Sequence, residues 1–422
     1  MKKEVSTSRL IAVTSFSNLI TTGVSILSGL LVAKILLPEQ LGLFNSFTLF
    51  TSYIILMQIG IPNGLSREIP FLFGKNEFDL AKNYAAVAQF FSLTLGGVIF
   101  LLSVLAAFYY VFNSNYIFAI GSIIVGVTSF QTLYVAKYLR ILYRTNLDFK
   151  RIALVNIIVA FFSLLTILLV WKYEFYGLCL RVIILALVDW FFCFLWRPIK
   201  VKPKWNYFQF KELLKVGTPI FLVASVYGLW PTIQRTLIVL LGGVYALGLF
   251  ALAIIVQNVL AQINNSINTV TFPKMSFEYG KGTSFIEVLK IPSKFVMYSL
   301  LIFSAIALVG WWLLPVLVHY FLPNYIEGIE AAKWMLLVSV ISVFGTFSSI
   351  YVVLKRNMDR LKSYSIGVLV WALFVYVFYS INGFSLILFP QAMILGYLST
   401  YLVDGYNYYS YYKKSLNPLN KF

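Results

Sequence analysis

Uncharged apolar runs of about 20 residues recur along the whole chain, and a helix of that length, rising about 1.5 Å per residue, crosses the roughly 30 Å of a bilayer's hydrocarbon. Lipid offers no hydrogen bonds to a backbone, so each run must close its own amides and carbonyls as a helix. The runs fall at 10–32, 43–62, 84–108, 116–136, 152–171, 177–196, 217–241, 247–270, 295–317, 332–354, 364–382 and 385–408, which predicts twelve spans. Only 11% of the residues are charged and mean hydropathy is +0.85. A soluble domain carries about 25% charged residues. The predicted class is an all-α membrane protein.

The second half repeats landmarks of the first. Leu41-Gly42-Leu43-Phe44 returns as Leu247-Gly248-Leu249-Phe250, and Phe73-Gly74-Lys75 as Tyr279-Gly280-Lys281, both 206 positions on (248 − 42, 281 − 75). Ile69-Pro70-Phe71 is echoed by Phe272-Pro273, and Asn146-Leu147-Asp148 by Asn357-Met358-Asp359 at an offset of 211 (357 − 146). Each half holds six runs, an even number, so both halves enter the bilayer in the same sense and form a parallel repeat, an architecture typical of transporters. The expected organisation is a six-helix bundle over 1–196, a cationic linker over 197–215 and a second six-helix bundle over 216–422.

The formal net charge of +18 would suggest nucleic-acid binding in a soluble protein, but its placement speaks for topology. Of the 33 lysines and arginines, 28 lie in the terminal segments or after even-numbered spans. Loops after odd-numbered spans carry only Lys34, Lys172 and Lys333, and Arg181 and Arg235 fall inside spans. The positive-inside rule then puts both termini in the cytoplasm and leaves no nucleic-acid partner. Met1-Lys2-Lys3 precedes an apolar run of more than 20 residues without a small-residue cleavage site, so this run is expected to stay as the first span. The linker, Arg197 to Lys215, is a topology signal that also suits anionic membrane lipids, and Phe208–Lys215 is expected to lie along the surface as an amphipathic helix.

Enzyme chemistry finds little support. His319, the one histidine, sits in an aromatic stretch at a predicted external edge, with no nucleophile or carboxylate beside it. No metal-ligand spacing, phosphate-cradling glycine loop or nucleophile elbow occurs, so no catalytic residue, metal or cofactor is predicted. Cys179 and Cys193 are 14 residues apart in one predicted helix, about 21 Å along its axis, too far to bridge.

Polar groups inside spans are costly and so mark function by default. Arg235 follows Pro231 in span 7, where a missing N–H bends the helix toward a polar cavity, and its guanidinium can grip a phosphate through two parallel hydrogen bonds. In span 8, Gln257, Asn264 and Asn268 fall within about 20° of one line at 100° per residue, with Asn258, Gln262 and Asn265 to one side. That stripe fits either helix contacts or a passage that bonds sugar hydroxyls. Arg181 and Asp189 share span 6 but are about 12 Å apart along its axis, so each needs its own partner; Asp189 is a candidate for proton or cation coupling or for neutralising an arginine on a neighbouring helix. Asn18 and Gln58 are candidates for the first-half cavity wall or for helix packing, Asp404 reads as interfacial, and the aromatic clusters near 108–112 and 406–412 read as belts.

The run Ala33-Lys34-Ile35-Leu36-Leu37-Pro38-Glu39-Gln40-Leu41-Gly42-Leu43-Phe44 resembles the opening of the multidrug/oligosaccharidyl-lipid/polysaccharide (MOP) exporter superfamily, with Leu37 where that pattern often has glycine. The resemblance continues through Ile59-Gly60-Ile61-Pro62, Ser66-Arg67-Glu68-Ile69, Gln234-Arg235 and Phe272-Pro273. It is strongest to the O-antigen and capsule repeat-unit flippases. The resemblance implies a MATE-like fold in a bacterial inner membrane and transfer of undecaprenyl-pyrophosphate-linked glycan by alternating access. The expected partners are that glycan, membrane lipids, H+ or Na+, and polysaccharide assembly enzymes. Arg235 and Arg181 would hold the pyrophosphate, and Gln257, Asn264, Asn268 and Asn18 would face the sugars. Relatives often carry an Asp-Arg pair where this chain has Gln234-Arg235, which questions any acid-dependent coupling at that position. A multidrug/cation antiporter of the same superfamily and a membrane polysaccharide polymerase or ligase stand as alternatives.

Overall fold

The computed structural model describes residues 7–281, 283–354 and 356–415, and among these it is helical with no strand. The helices are α1 (Thr7–Ile35), α2 (Pro38–Ile54), α3 (Ile61–Gly74), α4 (Phe78–Phe112), α5 (Tyr116–Phe130), α6 (Arg140–Thr145), α7 (Phe149–Leu165), α8 (Ile167–Leu195) and α9 (Tyr207–Gly280). They continue as α10 (Phe285–Phe321), α11 (Ile329–Ser342), α12 (Ser349–Val353), α13 (Asn357–Asn382) and α14 (Leu388–Ser415). Eight helical stretches among the described residues are long and apolar enough to cross a membrane. Twelve crossings follow once α9 is divided at its break and the shorter or more polar α1, α7 and α14 are added, each coinciding with an apolar run.

Local chemistry explains where the spans turn. Helix α9 carries two spans separated at Gly243, whose φ of 80° and ψ of −179° suit a residue without a Cβ. Helix α8 is broken at Glu174 (φ 45°), so the fifth span passes from α7 into the first residues of α8 before the sixth begins. The second span ends as a 3-10 turn, Ile55–Gln58, followed by left-handed Ile59 (φ 48°) and Gly60 (φ 94°). Pro38 opens α2, where its missing N–H costs nothing.

Two expectations change. The stretch Phe208–Lys215 is no separate surface helix: it continues without a break into the seventh span, because Gly217 packs backbone to backbone against Gly60. A Cβ on Gly217 would stand 2.0 Å from the Gly60 carbonyl oxygen and 2.6 Å from the Gly64 nitrogen. Thr218 Oγ1 adds a bond to the Ile59 carbonyl at 2.9 Å. Asp404, read from sequence as interfacial, is 4% exposed, because α14 is covered there by α12 and α13.

The chain divides into two compact units, Met1–Thr236 and Leu237–Phe422. The first has a core in which Leu65, Tyr134, Tyr138, Leu139, Tyr143 and Leu213 are all essentially inaccessible. In the second, α13 and α14 approach closely at Gly367, where a Cβ would meet Thr400 Oγ1 at 1.9 Å and the Gly396 carbonyl oxygen at 2.8 Å. Such contact between small residues suits helices that associate in lipid, where van der Waals fit replaces the hydrophobic effect.

Candidate functional site

In the first unit, Arg235 lies on α9 within the membrane, half-buried beside buried Trp230, Thr232 and Gln234. The neighbouring Thr236 hydroxyl and Tyr53 hydroxyl of α2 are 2.8 Å apart, which holds this face of the helix against α2. Arg235 Nε donates to the Pro231 carbonyl of its own helix at 3.2 Å, and among the described residues no carboxylate pairs with its guanidinium. An arginine so placed is an uncompensated cation in a low-dielectric setting, which attracts an anion. Arg181 is similar: Nη2 donates to Ser28 Oγ on α1, and among the described residues its buried Nε has no hydrogen-bond partner and no acid pairs with it. Among the described residues no hydrogen bond or shared partner joins the two arginines.

Asp189 pairs with an arginine from a neighbouring helix. Its Oδ1 lies 2.8 Å from Arg140 Nη2, Gln131 Nε2 donates to Oδ2, and Cys193 Sγ is 3.3 Å away. Arg140 in turn donates through Nη1 to Asn156 Oδ1 on α7 at 2.8 Å. Gln131 and Arg140 are nine positions apart, which at 100° per residue puts them on opposite faces of an α-helix. Residues Gln131–Leu139 instead form a π-helix, whose wider turn brings both side chains round to Asp189. Sequence reading placed Arg140 in a loop, and the α-helical angle offered no signal that it shares a face with Gln131.

In the second unit, Asn264 Nδ2 donates to Ser342 Oγ on α11 at 3.1 Å, and Gln257 Nε2 stands 4.0 Å from Met393 Sδ on α14. The Oδ1 atoms of Asn264 and Asn268 are buried without hydrogen-bond partners, while Asn258 and Asn265 are exposed. The amide row thus serves helix contacts on one flank and leaves open bonding capacity on the other. Asn18 lies in α1, its side chain outside the described residues. Gln58 is buried with Nε2 unsatisfied. His319 Nδ1 only meets the Pro315 carbonyl oxygen at 2.8 Å, and Cys179 and Cys193 are both free and buried.

Two helical halves in parallel repeat, with a span arginine that has no carboxylate partner among the described residues in each, Arg181 in the first and Arg235 in the second, define a multi-pass membrane protein of MATE-like fold. The solved structures agree on the fold. The chain is similar to an inward-facing multidrug resistance MATE family transporter of the MOP superfamily (17% identity, TM-score 0.72, covering 96% of this chain and 98% of that one). It is also similar to an outward-facing MATE transporter (17%, 0.64, 96% and 96%) and to a MOP superfamily transporter from Pyrococcus furiosus Vc1 described as having a binding pocket of reverse polarity (17%, 0.64, 97% and 96%). No curated protein matches. Residues 31–278, more than half of the chain, match the family described as polysaccharide biosynthesis protein, and the chain belongs to that family.

Proposed function

We propose that this protein is a flippase that carries an undecaprenyl-pyrophosphate-linked oligosaccharide repeat unit, of the O-antigen or capsule type, from the cytoplasmic to the outer leaflet of a bacterial inner membrane. The observation that carries the reading is Arg235, a half-buried guanidinium in a membrane span with no carboxylate partner among the described residues. A headgroup with two phosphates supplies the missing counter-charge, and the planar fork of arginine binds phosphate oxygens two at a time. Arg181 is a second anion contact in the same unit, while the open amide groups of Asn264 and Asn268, with Gln257, bond sugar hydroxyls in the second. Asn18 is assigned to the same polar lining.

The prenyl tail stays in lipid while the headgroup crosses on protein bonds, which avoids the cost of bringing unpaired charge and hydroxyls into hydrocarbon. Transfer proceeds by alternating access between populations of two states. The repeats over 1–196 and 216–422 are the moving halves, joined by the lysine-rich 197–215 with both termini cytoplasmic. Both inward- and outward-facing relatives share the fold, in keeping with such a cycle. Asp189, bound to Arg140, is left outside the transport path.

The test is a strain that depends on this chain for surface glycan, complemented with wild type or Arg235→Ala. Loss of surface glycan with the variant present in the membrane supports the proposal. Normal glycan with loss of resistance to cationic drugs would assign a multidrug antiporter instead. Glycosidic bond formation by the purified protein would make it a polymerase or ligase.

A further inference from the structure

The repeat supplies an internal control for its own buried acids. Asp404 follows Asp189 by 215 positions (404 − 189), and each is the buried carboxylate of the last span of its half. Each also reaches an equivalent position on the fourth span of its half. Asp189 meets Arg140, and Asp404 Oδ1 accepts from Tyr351 hydroxyl at 2.7 Å. Tyr351 lies 211 positions after Arg140 (351 − 140), the same offset that relates Asn146 to Asn357. The neighbouring ion pairs obey it too: Arg151–Asp148 at 3.2 Å becomes Lys362–Asp359 at 4.0 Å. At one point only in this comparison, a charged partner for the buried acid has been replaced by a neutral one.

We propose that Asp404 is a proton-binding site of the second unit. Among the described residues it forms no ion pair, and a buried carboxylate without a paired cation is driven toward its protonated form by the cost of holding charge in an apolar interior. Its surroundings match both forms. Tyr351 holds Oδ1, Asn407 Nδ2 donates to Tyr351 hydroxyl at 2.9 Å and approaches Ser363 Oγ at 3.4 Å, and Oδ2 is the atom that receives the proton. Asp404 and Gly405 also line a pocket of about 660 Å³ walled by Phe285, Phe344, Phe347 and Tyr401.

Of the other titratable groups around this carboxyl, Arg360 attracts its charge without closing to an ion pair. From α13, Arg360 stacks over the Tyr364 ring at 5.4 Å and Asp359 accepts from the Tyr411 hydroxyl at 2.6 Å. From α14 itself, Tyr408 donates to the Phe347 carbonyl at 2.9 Å, and Arg356, just before α13, sits 5.8 Å from the Tyr411 ring of α14. From α10, Glu287, Lys290 and Lys294 are exposed. The carboxylate form draws Tyr351, and through it Asn407 and Ser363, into one network that ties α12 and α13 to α14. Protonation weakens the Tyr351 bond from charge-assisted to neutral and so loosens that tie. The proton site stands without any assumption about cargo; its use as the coupling site rests on the transport reading above.

The test is infrared difference spectroscopy on purified protein in lipid, without substrate, titrated over about pH 5 to 9. Wild type and Asp189→Asn should both show a protonated carboxylic acid signal that titrates, and Asp404→Asn should lose it. Tyr351→Phe, which removes the donor to the ionised form, should raise proton affinity about tenfold, a shift of about one pH unit. Asp404→Glu should restore a titrating signal at a displaced frequency, which distinguishes loss of the site from loss of the fold. A signal retained in Asp404→Asn, a carboxyl ionised throughout the range, or a titration displaced by sodium at constant ionic strength would each overturn the proposal. Because no glycan is present, these outcomes are independent of whether the flippase assignment holds.

Discussion

Replacing Arg140 by methionine removes the one cation that, among the described residues, pairs with the Asp189 carboxylate, a side chain only 8% exposed. Truncating one partner of a buried ion pair costs about 3–5 kcal/mol, because the other charge is left in a low dielectric. Two donors remain, Gln131 Nε2 and Cys193 Sγ, so the loss should fall near the lower bound, about 3 kcal/mol. In a unit of 236 residues this corresponds to a fall in Tm of roughly 6–12 °C. Asp189→Leu alone leaves Arg140 with Asn156 and partial exposure (23%) and should cost less, and the pair Arg140→Met with Asp189→Leu should return close to wild type, since apolar replacement of both partners is often neutral. Thermal unfolding in detergent, followed by tryptophan fluorescence on all four proteins, gives the coupling energy directly. If the double variant is as unstable as the sum of the singles, Arg140 and Asp189 are not a coupled pair and the internal contrast with Asp404 fails.

Other substitutions test the packing. Gly217→Ala should destabilise the first unit by about 1–3 kcal/mol, since its Cβ meets backbone that cannot move aside; an unchanged Tm would refute the close approach to Gly60. Gly242→Ala brings a Cβ 1.9 Å from the Phe384 ring, and Phe384→Leu in the same chain should recover part of the lost stability, whereas additive losses would show that the ring is not the obstacle. Cys179 and Cys193 should react with maleimide only after unfolding, and rapid labelling of the folded protein would contradict their burial.

The spans were legible because hydrocarbon imposes one solution on an apolar run, and the repeat was legible because turns between spans reuse Gly, Pro and Asn-x-Asp at fixed offsets. What escaped depended on departures from the regular helix or on neighbours distant in sequence. Arg140 meets Asp189 only because the π-helix between Gln131 and Leu139 rotates it there, which no 100° wheel anticipates. Asp404 lies among tyrosines that read as a membrane belt, and its burial comes from α12 and α13, more than 40 residues earlier for Ser363 and Tyr351. Residues 63–74 fell between the second and third predicted spans but belong to the helix Ile61–Gly74, its entry set by left-handed Gly60. The amide row was visible as a stripe, yet its division between helix contacts and unsatisfied atoms depends on where Ser342 and Met393 fall.

The central claim, that this chain passes a pyrophosphate-linked glycan across a bilayer by means of Arg235, is tested most directly in sealed vesicles holding the purified protein and a fluorescent lipid-linked oligosaccharide. Wild type should expose the inner-leaflet glycan to an external glycosidase, and Arg235→Ala should slow that exposure by about tenfold or more, the equivalent of one lost charge-assisted bond of about 1.5–3 kcal/mol. Equal rates for wild type, Arg235→Ala and protein-free vesicles would contradict it.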